Sequence, residues 1–227
     1  MAVLTISRQI GSRGAYIGQK VAESLDYHCA DKAVMEKVFV QYGFISFEKI
    51  YDTEPRFWDR FDEMRASTIH NLNEVIKALA HHGDSVIIGR GSFAVLGGFA
   101  DVLNVRIHAP FHVRVQRVMD EMKIDSIKKA EALVKEKDKK RAGFVESSYH
   151  VRFRSSDNFD LAINTGTVPP DLAVAWLVEA VKTLDEMVIT DKPTIQSIQA
   201  DRVISKAVST ALGCKVIHGV SEQAVAA

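Results

Sequence analysis

The feature that most constrains this chain is an alternation of short apolar runs with stretches of helical periodicity. Residues 3–7 form a first apolar run that stops at a glycine-bearing turn, and Ile17, Val21, Ala22 and Leu25 then recur on one helical face. The pattern repeats with a short run at 27–30, an apolar run at Ser85–Ile88 ending in Gly89-Arg90-Gly91, and another run at Val102–His108 that Pro110 turns into a helix. A further run at Leu161–Asn164 is followed, after Pro169-Pro170, by a helix over 171–187. Continuous apolar strands separated by helices predict a parallel sheet covered on both faces, an α/β fold of three layers. In such folds ligands sit at the carboxyl ends of the strands. That rule selects the residues after Ser7, Ala30, Ile88 and His108.

The first of these ends carries Gly11-Ser12-Arg13-Gly14-Ala15-Tyr16 just before a helix. Glycines let successive backbone N–H groups turn toward one point, and the helix start adds its positive end. A Gly-x-x-Gly pair of this kind is also what a plain strand-to-helix turn needs. Asp31, after the second run, either orients an acceptor or a magnesium-bound water, or caps the helix that starts at Lys32. Arg90 follows the third strand, where a planar guanidinium suits an acceptor phosphate. Residues 135–154 hold seven basic residues against three acidic ones in a chain whose formal net charge is zero. Such a run is either a solvated helix face or a lid over phosphates. Net neutrality removes any global pull toward polymeric nucleic acid or a membrane surface.

Several matches in order resemble the cytidylate kinase-like family. They are Ile6-Ser7-Arg8-Gln9 with Gly11-Ser12 and Ile17-Gly18, then Tyr27 to Asp31, then Val86-Ile87-Ile88-Gly89-Arg90-Gly91. Ile107-His108-Ala109-Pro110 with Arg114 and Arg117 follows, then Asp138-Lys139-Lys140-Arg141-Ala142 and finally 157–165. The resemblance implies a P-loop nucleotide kinase fold over 1–187, with a helical acceptor-binding insertion near 33–82, a mobile basic lid near 123–156 and a C-terminal extension at 188–227. It implies transfer of the γ-phosphoryl group of ATP, with Mg2+, to a nucleoside monophosphate, CMP or dCMP first. Arg8, Gly11, Ser12, Arg13, Gly14, Ala15 and Tyr16 would hold the ATP phosphates. Arg13, Arg114, Arg117, Lys139 and Arg141 would offset charge on the moving group, and Asp31, Arg90 and Asp138 would meet the acceptor. Laid without gaps on a cytidylate kinase, Gly14 falls where the phosphate-loop lysine would be and Tyr16 at the hydroxyl position, a departure the family shares. Arg13 is the nearest replacement cation and Arg8 its local rival. The altered loop keeps two other readings open: a nucleotide-binding regulatory module without turnover, and a kinase for another small acceptor.

Cys29 and Cys214 match no metal or redox spacing, no signal peptide pattern opens the chain, and no apolar stretch is long enough to cross a bilayer. A cytoplasmic location is the expectation, with no metal site in the protein itself and no feature that specifies an oligomer. The composition shift at Asp191-Lys192-Pro193 predicts a boundary that few contacts cross, and a core that folds without the residues beyond it. An amphipathic helix is predicted near 201–212.

Overall fold

The computed structural model describes residues 1–41, 63–188 and 191–213. Its strands are β1 (Val3–Arg8), β2 (His28–Ala30), β3 (Ser85–Ile88), β4 (Val102–His108) and β5 (Leu161–Asn164). Over the described residues the helices are α1 (Gly14–Leu25), α2 (Lys32–Gln41), α3 (Glu63–His82), α4 (Ser92–Leu96), α5 (Phe111–Met122), α6 (Ile127–Tyr149), α7 (Pro170–Glu186) and α8 (Arg202–Ala211). The sheet is parallel throughout, in the order β2-β3-β1-β4-β5. The predicted three-layer α/β fold with a parallel sheet is therefore the fold of the chain.

The central strand reads as a continuous apolar run because both its faces are covered. Leu4 and Ile6 pack with Ile17 and Val21 of α1 and with Ala173, Leu177 and Val181 of α7. Val3 faces the opposite layer, where Val38 and Phe39 of α2 and Leu72, Val75, Ile76 and Leu79 of α3 are buried. Thr5, buried within this strand, donates its hydroxyl to Asn104 Oδ1 at 2.7 Å, so the polar pair is satisfied across the β1–β4 register. The chain leaves β1 for β2 on one side and leaves β3 for β4 on the other, so the switch point lies between the ends of β1 and β3.

The basic segment near the predicted lid is one continuous helix, α6. Ser126 accepts from the Lys129 N–H at its start, and His150 closes it in the left-handed conformation. Ala130 and Val134 pack against Val115 and Val118 of α5, while Phe144 and Val145 belong to the main core. The middle turns of α6 thereby lie across the carboxyl edge of the sheet.

The expectation of few contacts past residue 191 is corrected by the packing. Ile195 and Ile198 on a short turn, and Ile204 and Val208 of α8, join the same buried cluster as α2 and α3. Asp101 accepts the Ile195 N–H on both carboxylate oxygens, at 2.9 and 3.0 Å, and the Ala100 N–H donates to Pro193 O. The physical reason is amphipathicity. The apolar stripe of α8 needs a face to cover, and α3 supplies one that the sequence pattern of the tail does not name. Within the expected acceptor insertion, residues 42–62, with Pro55 and the aromatic group Phe57, Trp58 and Phe61, lie outside the described residues, as does 214–227.

Candidate phosphate-binding site

The loop between β1 and α1 is shaped by what holds its carbonyls. Gly11 sits at φ +70°, and an added Cβ would stand 2.6 Å from the Arg114 carbonyl oxygen. Only glycine meets both conditions. Arg114 Nη1 donates to Ile10 O at 3.3 Å, Arg117 Nη1 to Gly11 O at 3.3 Å, and Thr165 Oγ1 to Ser12 O at 2.8 Å. Three successive carbonyls are thus tied from the β4 and β5 side. In a trans peptide the N–H points opposite to the carbonyl. The N–H groups of Gly11, Ser12 and Arg13 are therefore turned away from those tethers, although Ser12 N–H makes a long 3.4 Å bond to Gln9 O. The first turn of α1 adds further N–H groups, and no side chain caps this helix. This is the geometry of an anion cradle at a helix N-terminus.

Arg114 and Asp138 lock the cradle from behind. The Arg114 side chain is 6% exposed and that of Asp138 13%, with Nη1 and Oδ2 2.7 Å apart. Asp138 Oδ1 also accepts the Ile10 N–H at 3.4 Å, and Arg114 Nε donates to Ala109 O at 3.0 Å. Arg117 donates in addition to Thr165 Oγ1 and Thr165 O, at 3.0 and 2.7 Å. Burial, and then the charge of Arg13, lower the Arg117 pKa from its ordinary value. His108, at the end of β4, is likewise held below the usual imidazole range by burial and by Arg106 and Arg114. The cation-rich environment is a property of the strand ends themselves. Arg106 was not among the sequence candidates: it lies buried on β4, donates to Phe153 O and sits over the Phe153 ring.

On the other side of β1, toward β3, a second group assembles. Ser7, Arg8, Gly89, Arg90, Gly91 and Arg141 line one narrow recess. Arg141 Nη1 donates to Arg8 O at 3.3 Å. Arg90 is 4% exposed, in the left-handed conformation, with Nη2 3.7 Å from Glu36 Oε1. Tyr149 donates its hydroxyl to Asn73 Oδ1 at 2.9 Å and approaches Arg90 O at 3.3 Å, so α6 is fastened over this recess. A cleft of about 840 Å³ opens along the opposite face of α6, lined by Gln9, Phe111, Arg114, Lys135, Lys139 and Arg154 among others. Lys139 thus faces the cleft and Arg141 the recess, one on each side of the same helix.

The remaining candidates are placed elsewhere. Arg13, in the left-handed conformation at the head of α1, pairs with Glu121 on α5. Ser12 is buried and its hydroxyl donates to Gln9 O at 2.8 Å. Tyr16 is exposed and donates to Asp171 Oδ1 on α7 at 2.7 Å, which raises its pKa. Ala15 and Gly14 contribute backbone in the first turn. Asp31 accepts the Ala33 and Val34 N–H groups at 2.9 and 3.1 Å, the geometry of a helix cap. Thr165, Tyr149 and Glu36 were not singled out by sequence. Thr165 follows β5 and so obeys the strand-end rule; nothing local marks the other two, which are brought in by helix packing.

A parallel sheet of this order, with a glycine-bearing loop feeding a central helix and an arginine-rich edge, defines a nucleotide kinase-type fold. The model of the cytidylate kinase-like family matches residues 3–167, and the chain belongs to that family. Among solved structures, a protein of unassigned role from Eubacterium ventriosum superimposes with a TM-score of 0.64 at 19% identity, covering 81% of this chain and 99% of that one. Shikimate kinase from Bacteroides thetaiotaomicron aligns with a TM-score of 0.46 at 11% identity, over 82% of this chain and 99% of that one. A curated relative, a uronate isomerase from Corynebacterium glutamicum, is 30% identical over 109 residues, 48% of this chain. The chain spans only 20% of that relative's length. Among the described residues, no helix is long and apolar enough to cross a membrane.

Proposed function

We propose that this chain is a phosphotransferase that moves the γ-phosphoryl group of magnesium-bound ATP to a nucleoside monophosphate, with CMP or dCMP the first acceptors. The observation that carries the reading is the tethered loop: three carbonyls held from behind leave a cradle of N–H groups at the head of α1. In the transfer an oxygen of the acceptor phosphate bonds to the γ-phosphorus as the bond to the β,γ-bridging oxygen breaks. ADP leaves with that electron pair and a nucleoside diphosphate forms. Alignment and positive charge are the main requirements of such a step.

In this reading the cradle takes the donor phosphates, and Lys139 reaches them across the cleft. Arg90 and Arg141 face the acceptor side, while Arg114, Arg117 and Asp138 keep the loop in shape. Magnesium enters as part of the nucleotide substrate. Among the described residues no group of three acidic, histidine or cysteine side chains is arranged to hold a metal, and Asp31 Oδ1 accepts the two cap bonds. The family's kinase character and the absence of a membrane-crossing helix among the described residues accord with a cytoplasmic enzyme.

A second reading, a nucleotide-binding module without turnover, draws on one observation. Tyr16, at the position of the magnesium-binding hydroxyl, turns its oxygen to Asp171 on α7. One experiment separates the two. Purified protein is incubated with Mg-ATP and a panel of nucleoside monophosphates, and ADP and diphosphate are quantified. Turnover highest on CMP or dCMP supports the first reading; saturable ATP binding with no turnover on any acceptor supports the second.

A further inference from the structure

We propose that the charge which a phosphate-loop lysine would bring to the donor phosphates is supplied by Arg8, and that Gly14 is a glycine because the stem of the Arg8 side chain occupies its side-chain space. The inference rests on the phosphotransfer reading and names the residue that makes the altered loop workable.

Gly14 is the starting observation. It does not have the positive φ that would call for glycine. Its reason is space: an added Cβ would stand 2.5 Å from Arg8 Cβ and 3.1 Å from Arg8 Cγ. Cβ atoms do not approach other carbons that closely, and the near end of a side chain cannot swing aside without moving its backbone. Gly14 is also the position where the sequence comparison with a cytidylate kinase puts the lysine. Any side chain leaving Gly14 would enter the volume that the Arg8 stem already fills.

The far end of Arg8 gives the second observation. Gly89, whose φ of +78° already calls for glycine, lies against the guanidinium, with the place of an added Cβ 2.8 Å from Arg8 Cζ. The side chain therefore runs from the first residue of α1 to the end of β3, across the mouth of the crevice at the switch point. Its guanidinium lines the same recess as Arg90 and Arg141. The other arginines near the loop have different placements. Arg13 pairs with Glu121 and is 39% exposed; Arg114 and Arg117 donate to loop carbonyls.

The chemistry suits the place. A guanidinium is planar, always charged and able to bridge two phosphate oxygens. Lying between the donor cradle and the Arg90 side, it reaches the position where negative charge is shared between donor and acceptor during transfer.

The test measures ATP affinity and turnover for the wild type, Arg8→Ala, Arg8→Gln, Arg8→Lys, Arg13→Ala, Gly14→Lys and the double variant Arg8→Ala/Gly14→Lys, each checked for folding by its thermal midpoint. Arg8→Ala is expected to lose on the order of 10²–10³ in kcat, exceeding the loss in Arg13→Ala by at least about tenfold. Gly14→Lys alone is expected to lose activity through the clash. In the double variant the lysine enters vacated space and should recover at least about tenfold over Arg8→Ala. If Arg8→Ala fails to fold, Arg8→Gln carries the test: a large drop in kcat that Arg8→Lys partly spares is expected, and a wild-type kcat in Arg8→Gln overturns the proposal. A wild-type kcat in Arg8→Ala, or full activity in Gly14→Lys, overturns it and leaves phosphotransfer standing. If the wild type binds ATP without turnover, the readout is ATP affinity: a loss of about tenfold or more in Arg8→Ala supports the role, and an unchanged value overturns it. Failure of the wild type to bind ATP overturns the phosphotransfer reading and this inference together.

Discussion

The two flanks of β1 treat their arginines differently. On the β4 flank, Arg114 and Arg117 are turned into the protein, onto loop carbonyls, Asp138 and Thr165. On the β3 flank, Arg8, Arg90 and Arg141 converge on one recess beneath α6. The same residue type is scaffold on one side and a charge surface on the other. What decides is the acceptor within reach. The β4 flank offers a row of backbone oxygens and the partly buried Asp138 carboxylate, whereas on the β3 flank Arg141 donates to the single carbonyl of Arg8 and Glu36 approaches Arg90 at 3.7 Å. Like charges brought together are unfavourable without anionic groups beside them, and in the proposed reading a phosphate would add one on the β3 flank.

That contrast is broken or sharpened most strongly by Arg114→Ala. It removes one partner of a buried pair and leaves Asp138 with an uncompensated charge, at a cost of about 3–5 kcal/mol. Arg141→Ala, which loses a single bond to Arg8 O, should cost only about 1 kcal/mol. Urea unfolding of the two variants checks this, and equal losses would mean that both flanks are scaffold. Next in size is Ile204→Ala. Ile204 on α8 is 4% exposed and backs the α2–α3 wall of the β3 flank, so truncation should cost about 3 kcal/mol. A change within about 0.5 kcal/mol would detach the tail from the core.

The smallest expected effect is on pH dependence. His108 on the β4 flank and His28 at the start of β2 both have pKa values lowered mainly by burial, with Arg106 and Arg114 adding to the first and His82 to the second. As pH falls through the ordinary value of about 6.5, the unfolded chain takes up protons that the folded chain still refuses. Stability is lost from there until the folded-state values are passed, and is fully present above. The thermal midpoint should therefore drop on acidification below about pH 6.5, and His108→Asn should flatten that slope. An unchanged slope would remove the burial of His108, and the field of Arg106 and Arg114 with it, from the account.

The sequence was most legible where a backbone demand and a residue type coincide. The apolar runs of β1, β3 and β4 were legible because these inner strands are buried, and Gly11 marked the loop because its conformation and its closeness to Arg114 both require glycine. The arginines were legible as a set but not by role. Arg13 lies next to the lost lysine in sequence, yet pairs with Glu121 through the packing of α5 beside α1. Arg8, several residues away, reaches the vacant space because β1 and the head of α1 are adjacent in the fold. The cap made by Asp31 depends on its two N–H partners, which sequence alone does not separate from a ligand role. Tyr149, Glu36 and the apolar stripe of α8 depend on helix–helix contacts that no local pattern encodes.

The central claim is that the backbone from Gly11 to Tyr16, held by tethers on the β4 flank, is the seat of the donor phosphates. The most direct measurement follows the amide resonances of 15N-labelled full-length protein as Mg-ATP is added. The account predicts saturable shifts that are largest at Gly11, Arg13, Gly14 and Ala15, that appear with tripolyphosphate as well as with ATP, and that weaken in Thr165→Val, where one tether is gone. Saturable shifts confined to other parts of the chain, with these amides unmoved, would contradict it.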